Sequence, residues 1–321
     1  MNASRTRREV ATVPLISVVI CTRNRAELLP DAIRSVLDQD VPRETFEVIV
    51  VDNASTDRTP AVVRHLDGQG ALRYVREPTI GLNRARNAGW KRARGRYVAY
   101  LDDDAVAAPG WVRAVRRAFE TTPRPGIVGG RVDPVWEAER PRWLSDELAP
   151  GLTIVDWSPG AHFIADVRRE WLVGANFAVS TDLLAALGGF HEALGRRGTR
   201  LLSSEETFLQ QQAIRRGHRC LYYPAMAVRH RVPRARLSKR WFRRRYFWQG
   251  VSDATMELIE HAHSPLQRLR LALRRATRLL ASPRRLANLV WPTSDPDRFT
   301  RKCFTLIDVG HIAGLLGAAR P

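Results

Sequence analysis

The sequence is poor in cysteine and has no long apolar run, and each shortage excludes a class of protein. The 321 residues include three cysteines, far apart and without a CxxC pair: Cys21, Cys220 and Cys303. A disulfide framework is therefore not expected, and a reducing cytoplasm suits the chain. No apolar stretch reaches the roughly 18 residues of a membrane-spanning helix. The nearest candidate, 303–319, is interrupted by Asp308 and His311.

Two phosphate-binding signatures are also missing. The sequence has neither GxGxxG nor GxxxxGK[ST], so neither a dinucleotide-binding fold nor a P-loop is supported. RRM, KH and helix-turn-helix patterns are absent too. A nucleic-acid-binding protein stays open only as a minor alternative, because "KRWFRRRYFWQG", 239–250, mixes arginine with aromatic side chains.

Lysine is scarce, although the net charge is +19. Only Lys91, Lys239 and Lys302 occur, so arginine carries nearly all the positive charge. This charge suits an anionic partner such as a membrane surface, a nucleic acid or a phosphorylated substrate. Alternatively, the excess of arginine reflects only the composition bias of a GC-rich genome and indicates no partner.

The first hundred residues alternate between apolar strands and helix-like stretches. Four runs predict strands: "LISVVIC" from Leu15, "FEVIVVD" from Phe46, "LRYV" from Leu72 and "RYVAYLD" from Arg96. Helices are predicted between them at 27–39, 58–66 and 83–94. Because the strands are continuously apolar, we expect a parallel sheet covered by helices on both faces.

The pattern is less regular after residue 104. We expect helices at 109–120, 181–187 and 204–216, strands around 126–132, 171–180 and 218–224, and an irregular loop at 134–160. From His230 the chain becomes basic and aromatic. A helix should begin at Pro265 with Ser264 as its N-cap, because five apolar residues share one face of it. Those residues are Leu266, Leu269, Leu273, Ala276 and Leu280.

These patterns predict three regions. Residues 1–13 form a disordered basic tail, 14–232 a Rossmann-like α/β domain with a mostly parallel central sheet flanked by helices, and 233–321 a basic helical extension. The basic amphipathic helix has two interpretations. It packs on the main domain with solvated arginines, or it lies on an anionic membrane surface.

Three polar groups follow predicted strands, where an α/β sheet binds its ligands. They are "CTRNR" from Cys21, Asp52-Asn53, and the triple aspartate Asp102-Asp103-Asp104. Adjacent carboxylates repel, and a hard cation such as Mg²⁺ or Mn²⁺ removes that repulsion. The alternative, an acidic cap on the next helix, fits poorly because that helix begins several residues later.

Three further residues each have a structural alternative. Asp52 accepts a hydrogen bond from a nucleotide, or it is a turn residue before a helix capped by Ser55. Glu206 is a general base, or it completes a capping box with Ser203. His230 is a metal ligand, or an ordinary buried side chain.

Taken together, five segments resemble family 2 glycosyltransferases of the GT-A fold, in the order of that family, from about residue 16 to 230. They are "SVVICTRNRAELLPDAIRSVL", "VIVVDNASTDRT", "GLNRARNAGWKRARGRYVAYLDDD", "WLVGANFAVSTDLLAALGGFHEAL" and "SSEETFLQQQAIRRGHRCLYYPAMAVRH". The chain departs from the family pattern at the position of the catalytic base, where the family commonly has Glu-Asp and this chain has Glu205-Glu206.

The resemblance assigns roles by position. It implies nucleotide-sugar contacts by Thr22, Arg23, Asn24, Asp52, Asn53, Arg86, Asp102 and Asp103. It implies a Mn²⁺ or Mg²⁺ site formed by Asp104, Asp102 and His230. It implies a catalytic base at Glu206, with Glu205 as the alternative.

The implied activity is transfer of a sugar, with inversion, from a nucleoside diphosphate sugar to a hydroxyl group. The expected enzyme is of the hexosyltransferase type, with a uridine donor favoured. The acceptor would be a glycan, a lipid or a secondary metabolite. The expected location is cytoplasmic, with possible peripheral contact to the inner face of the membrane through the C-terminal helices, and no nucleic acid is expected as a partner. A catalytically defective nucleotide-sugar-binding protein is the remaining alternative.

Overall fold

The computed structural model describes residues 13–67, 70–198, 200–290, 293 and 295–317. The predicted N-terminal tail therefore lies outside the described residues, except for Val13. The first third of the chain has the elements β1 Ile16–Thr22, α1 Leu29–Leu37, β2 Phe46–Asp52, α2 Thr59–Leu66, β3 Leu72–Arg76, α3 Leu82–Trp90, β4 Tyr97–Asp102, β5 Ala105–Ala107 and α4 Trp111–Glu120.

The remaining elements run to the C-terminal region. They are β6 Ile127–Gly129, β7 Val132–Trp136, β8 His162–Phe163, β9 Asn176–Ser180, α5 Thr181–Leu187, α6 Glu205–Arg215, β10 Cys220–Tyr222, β11 Val228–Val232, α7 Lys239–Glu260, α8 Pro265–Leu280, α9 Pro283–Val290 and α10 Pro296–Leu315. Short 3-10 turns occupy Arg43–Thr45, Asp146–Leu152 and Arg234–Arg236.

The main sheet has the strand order β3-β2-β1-β4-β9-β6-β10-β8. Strands β1 to β4 are parallel to one another, as the βαβ pattern predicted. Beyond β4 the sheet becomes mixed, because β9 is antiparallel to both β4 and β6. The four carboxyl ends of the parallel half meet at one edge, which is where the polar groups of the sequence come together.

Helices cover both faces of this sheet. On β1, Val18 and Ile20 belong to the buried cluster that contains Ile33 of α1, whereas Val19 belongs to the cluster that contains Ala85 of α3. Successive strand residues point to opposite faces, so a strand covered on both faces must be apolar throughout. The prediction from the continuous apolar runs is confirmed.

A second, three-stranded sheet has the order β5-β11-β7 and was not predicted as a unit. Strand β5 directly follows the aspartates and has only three residues. In its antiparallel register with β11, Ala105 pairs with His230. Strand β7 extends into the segment 134–160 that was expected to be an irregular loop, so that prediction is wrong for residues 134–136.

Two predicted helix caps are absent. Helix α2 begins at Thr59, whose backbone N–H donates to Asp57 Oδ1, so Ser55 is not its N-cap. Helix α6 follows Ser204, which has a left-handed φ of 70° and makes no capping hydrogen bond. Ser203 is drawn away from the helix because its N–H donates to Ser252 of α7. The capping-box interpretation of Glu206 is therefore wrong.

The C-terminal helices pack on the 3-10 turn Asp146–Leu152. Their shared cluster joins Leu148 and Leu152 to Phe242 of α7 and Phe299 of α10. Because this cluster includes Val232 and residues before it, the two sides of the predicted boundary share a core. The division at residue 232 remains a prediction.

Helix α8 begins at Pro265 with the predicted Ser264 cap, and Gln267 completes a capping box there. The helix packs on α7 and α10 through Ala272. Its leucine face points away from the protein, with 44–63% of each residue exposed: Leu266, Leu269, Leu273 and Leu280. None of the helices in the described part of the chain combines the length and hydropathy needed to cross a bilayer.

Candidate active site

The three aspartates lie at the carboxyl end of β4, on the wall of a cavity of about 1070 Å³. Asp103 and Asp104 are buried, while the side chain of Asp102 is 33% exposed. Helix α4 begins only at Trp111, so none of the three caps it. The acidic-cap alternative is therefore excluded.

His230 joins the aspartates through the second sheet. Its Nε2 lies 3.2 Å from Asp104 Oδ1, and ligand atoms of Asp102, Asp104 and His230 all lie within 4.8 Å of one another. Carboxylate oxygens with one imidazole nitrogen are a donor set that suits Mn²⁺ and is compatible with Mg²⁺. The three side chains thus fit the predicted metal.

Two arginines partly balance the aspartates in this structure. Arg25 Nη1 donates to Asp103 Oδ1 at 2.8 Å and to Asp104 Oδ2 at 2.5 Å, and Arg236 lies 3.8 Å from Asp104 Oδ2. Burial alone would raise the pKa of Asp104, but the hydrogen bond and charge of His230, with Arg25, hold it below its ordinary value. Burial and the neighbouring Asp104 raise the pKa of Asp103 to about 7, against the opposing charge of Arg25.

Arg86 holds a second acidic group beside the aspartates in the same cavity. Its Nη1 lies 3.1 Å from Glu205 Oε1 and 2.9 Å from Glu206 Oε1, and its Nη2 lies 3.9 Å from Asp102 Oδ1. One guanidinium cannot neutralise three carboxylates. Burial and the charge of Glu206 accordingly raise the pKa of Glu205 to about 7, although Arg86 opposes the rise.

The two glutamates differ in access to the cavity. The side chain of Glu205 is 5% exposed and that of Glu206 is 16% exposed. Gly174 makes room for this arrangement, because a Cβ there would lie 1.9 Å from Glu206 Oε1 and 2.1 Å from Arg86 Nη2. Because its side chain is the more exposed of the two, Glu206 is the carboxylate with more access to a substrate.

The residues assigned to the nucleotide fall into two groups. Six line the cavity: Thr22, Arg23, Asn53, Arg86, Asp102 and Asp103. Asp52 does not, because it is buried, with Oδ1 accepting from the Ser55 N–H and Oδ2 from the Tyr74 hydroxyl. Asn24 is exposed and bonds to Thr56 instead. In this structure Asp52 and Asn24 hold the turn after β2, and their contact with a nucleotide stays a prediction.

Sequence reasoning missed three site residues. Arg25 was within the "CTRNR" segment, but nothing in the pattern distinguished it from Arg23. Arg236 lies among many arginines after His230. The requirement for glycine at 174 is steric, and it follows only from the approach of Glu206 and Arg86.

Comparison with known proteins agrees with this geometry. Residues 17–179 match the sequence model of Glycosyl transferase family 2. The glucosyl-dolichyl phosphate glucuronosyltransferase of Haloferax volcanii is 27% identical over 248 residues, which is 76% of this chain and 78% of that protein. The succinoglycan biosynthesis protein ExoM of Rhizobium meliloti is 27% identical over 308 residues, covering 94% of this chain and 93% of that protein.

Two solved structures share the fold. The mannosyltransferase PcManGT from Pyrobaculum calidifontis, in complex with GDP-Man and Mn²⁺, superposes with a TM-score of 0.61 at 23% identity, covering 95% of this chain and 86% of that chain. S. aureus TarS 1–349 in complex with UDP-GlcNAc superposes with a TM-score of 0.58 at 16% identity, covering 94% of this chain and 91% of that chain. The fold is therefore GT-A. Since the family match spans half of the chain and includes the aspartate strand, the protein belongs to glycosyl transferase family 2 and is a glycosyltransferase.

Proposed function

We propose that this enzyme transfers a sugar, with inversion and with the help of a divalent metal, from a nucleoside diphosphate sugar to a hydroxyl group. One observation carries the proposal. The metal-ligand group Asp102, Asp104 and His230 and the carboxylate of Glu206 line the same cavity. One site can thus receive both the leaving diphosphate and the attacking hydroxyl.

The donor would lie over the carboxyl ends of β1 and β4. Thr22, Arg23 and Asn53 line that part of the cavity, and Arg25 and Arg236 are placed to meet diphosphate oxygens. The structural relatives support a nucleotide-sugar donor, since one contains GDP-Man and another UDP-GlcNAc. A uridine donor remains the expectation for this chain.

Asp102, Asp104 and His230 would hold the metal, Mn²⁺ or Mg²⁺. When bound, such an ion acts as a Lewis acid that stabilises the charge developing on a leaving diphosphate. His230 and Arg25 now pair with Asp104, so we expect both to rearrange when the site is loaded.

Glu206 would act as the base. It accepts the proton of the acceptor hydroxyl while that oxygen forms a bond to the anomeric carbon. The bond from this carbon to the phosphate oxygen breaks, and its electron pair stays on the diphosphate. Arg86 would position Glu206 through their ion pair. Glu205 contacts the same arginine, and the side chain of Glu205 is almost fully buried.

The first test is calorimetric titration of nucleoside diphosphates, each with and without Mn²⁺. We expect one nucleotide to bind the wild type only with Mn²⁺ and to lose that binding in Asp104→Ala. The exposed Asp31→Ala is the matched control. If no nucleotide binds under any condition, the metal-dependent donor site is wrong.

The second test addresses the base. Glu206→Gln should lower transfer of the donor sugar to water by about 10²–10⁴-fold, the usual contribution of a general base. Its affinity for the nucleotide with Mn²⁺ should stay unchanged. A wild type that binds nucleotides but never turns them over would instead support the catalytically defective alternative.

We also propose that the enzyme is cytoplasmic and binds the membrane surface through α8. The exposed leucines Leu266, Leu269 and Leu273 lie beside a row of arginines at i, i+4 and i+8, namely Arg270, Arg274 and Arg278. Helices α8 and α9 contain no acidic residue. An apolar stripe flanked by cations fits an anionic bilayer. The name of the Haloferax relative, whose acceptor is a dolichyl phosphate lipid, supports a lipid-linked acceptor here.

Flotation with vesicles tests this surface. The wild type should float with phosphatidylglycerol vesicles at low salt and not with phosphatidylcholine vesicles. Leu269→Glu with Leu273→Glu should abolish flotation, because both side chains are exposed and their replacement puts charge on the docking face. Ile214→Glu on α6, exposed to a similar degree, is the control. Equal flotation of all variants would contradict docking through α8.

A further inference from the structure

Two arginines that line the cavity form no ion pair with any carboxylate of the described residues. Arg196 lies in the loop before α6, and Arg245 lies on α7. Across the described residues, neither forms an ion pair, and Arg196 Nη1 and Arg245 Nε are buried without a hydrogen-bond partner. Arg245 Nη1 donates only to neutral oxygens, Ser203 Oγ at 3.2 Å and Gln249 Oε1 at 3.0 Å.

This arrangement is unfavourable for the protein alone. Both residues are partly exposed to the cavity, and Glu205 and Glu206 lie near enough for their charges to act on both. A guanidinium nitrogen buried without a hydrogen-bond partner still carries a desolvation penalty, and two cations near each other add repulsion. Burial, followed by the charges of Arg245 and Arg236, lowers the pKa of Arg196 to about 9. Groups placed at such a cost inside a substrate cavity are usually completed by the ligand.

The contacts of Arg245 place it away from the metal side of the cavity. Arg25 and Arg236 contact Asp104, on the metal side. Arg245 instead bonds to Ser203, which precedes the segment Ser204–Glu206 that carries the proposed base. Arg245 therefore lies beside the proposed base. Arg196 lies near it, within reach of the charges of Arg245, Glu205 and Glu206 as well as of Arg236.

We propose that Arg196 and Arg245 form a subsite for an anionic group carried by the acceptor, a phosphate or a carboxylate. This inference rests on the proposed function, since it uses the base at Glu206 to define the acceptor side. Guanidinium groups present planar forks of N–H donors that match the oxygens of both anions. The bound anion would accept from Arg196 Nη1 and Arg245 Nε, the two donors that now lack partners.

The test uses inorganic phosphate in the presence of saturating UDP and Mn²⁺, which occupy the donor site. We expect phosphate to bind the wild type and to raise its melting temperature. Arg196→Gln and Arg245→Gln should weaken phosphate binding about tenfold or more, the usual effect of losing a charge-assisted hydrogen bond. Arg245→Lys should keep part of the binding, and the exposed Arg113→Gln should keep all of it.

A second readout separates binding from a structural role. Without phosphate, the two glutamine variants should melt no lower than the wild type, because each removes a guanidinium nitrogen that is buried without a hydrogen-bond partner. If they instead melt well below it, or if their response to phosphate is unchanged, the subsite is wrong. Acetate titrated in the same way distinguishes a carboxylate from a phosphate ligand.

The same samples separate this proposal from the proposed function. Metal-dependent UDP binding without any phosphate response would overturn only the acceptor subsite. If the wild type bound none of the nucleoside diphosphates in the presence of Mn²⁺, the transferase mechanism would be overturned, and with it the definition of the acceptor side.

Discussion

Arg86 serves three carboxylates with one positive charge, and this imbalance governs the chemistry of the site. Its guanidinium contacts Glu205 and Glu206 and lies near Asp102, and it is itself buried. The resemblance assigned Arg86 to the nucleotide. The observed contacts support a different proposal, in which Arg86 orients Glu206 and links the base to the aspartate strand.

At this scale we predict that Gly174→Ala folds but loses activity. The added Cβ would overlap Glu206 Oε1 and Arg86 Nη2, which are the ends of flexible side chains and can move. Displacing a catalytic group by about 1 Å commonly costs about 10²-fold in rate. We expect this loss in hydrolysis of the donor sugar, with little change in melting temperature.

Gly160→Ala is the control for this substitution, because a Cβ there has open space apart from Ser158 Oγ at 4.0 Å. Nucleotide binding with Mn²⁺ should be the same in both variants. A Gly174→Ala enzyme with wild-type hydrolysis would show that the close packing at Gly174 does not position the base.

Asp253 provides a prediction about pH. Burial raises its pKa from 3.8 to about 6, although Gln249 donates a hydrogen bond to it. Between these pH values the folded protein binds a proton that the unfolded chain has released, so stability falls as pH rises from about 4 to about 6. Over this pH range, the free energy of unfolding of the wild type should fall by at most about 3 kcal/mol relative to that of Asp253→Asn, since one pKa unit corresponds to about 1.4 kcal/mol.

Denaturant unfolding of both proteins at a series of pH values measures this difference. The comparison cancels contributions from other titrating groups, since they are common to both proteins. A difference that stays constant, or that grows in favour of the wild type as pH rises, would contradict the raised pKa of Asp253.

At the scale of elements, the close contact of α7 and α10 supports the site. A Cβ on Gly250 would lie 1.9 Å from the Ile307 carbonyl oxygen, and one on Gly310 would lie 1.9 Å from that of Phe247. Helix α7 in turn holds the segment before α6, because Gln249 Nε2 donates to Ser204 Oγ at 2.8 Å. The extension is thus part of the scaffold of the active site.

We predict that Gly250→Ala destabilises the protein by about 1–3 kcal/mol or more, because the added methyl group meets backbone atoms that cannot rotate away. Denaturant unfolding measures the loss. Arg244→Ala, at an exposed position of the same helix, should have little effect. If Gly250→Ala unfolds at the wild-type denaturant concentration, the two helices are further apart than described here.

The periodicity of the sequence predicted these elements unevenly. The βαβ units from β1 to β4 were recognised because long apolar runs and intervening helices have strong periods. Strands β5 and β8, with three and two residues, were not predicted. The leucine face of α8 was recognised as a face, but the sequence did not decide which surface it would meet.

At the scale of the whole molecule, the net charge of +19 favours expansion of the chain. We predict that melting temperature rises between about 10 mM and 100 mM NaCl, over which the Debye length falls from about 30 to 10 Å. Replacing Arg270, Arg274 and Arg278 by glutamine should weaken this dependence, since three neighbouring like charges are removed from one helix face.

Scanning calorimetry of the two proteins at each salt concentration checks this expectation. The control replaces Arg84 and Arg116 by glutamine, because both are paired with nearby glutamates in the structure. A melting temperature that falls with added salt would mean that attractive ion pairs outweigh the net repulsion.

The sequence by itself determined the fold class, the parallel half of the sheet, the family and the strand that carries the aspartates, because each depends on local periodicity or on motifs in a fixed order. Tertiary structure alone decided which side chains share the cavity. The register of β5 with β11 brings His230 to Asp104, and the missing side chain of Gly174 lets Glu206 and Arg86 meet. Such contacts join residues far apart in the chain, and no local pattern records the distance between them.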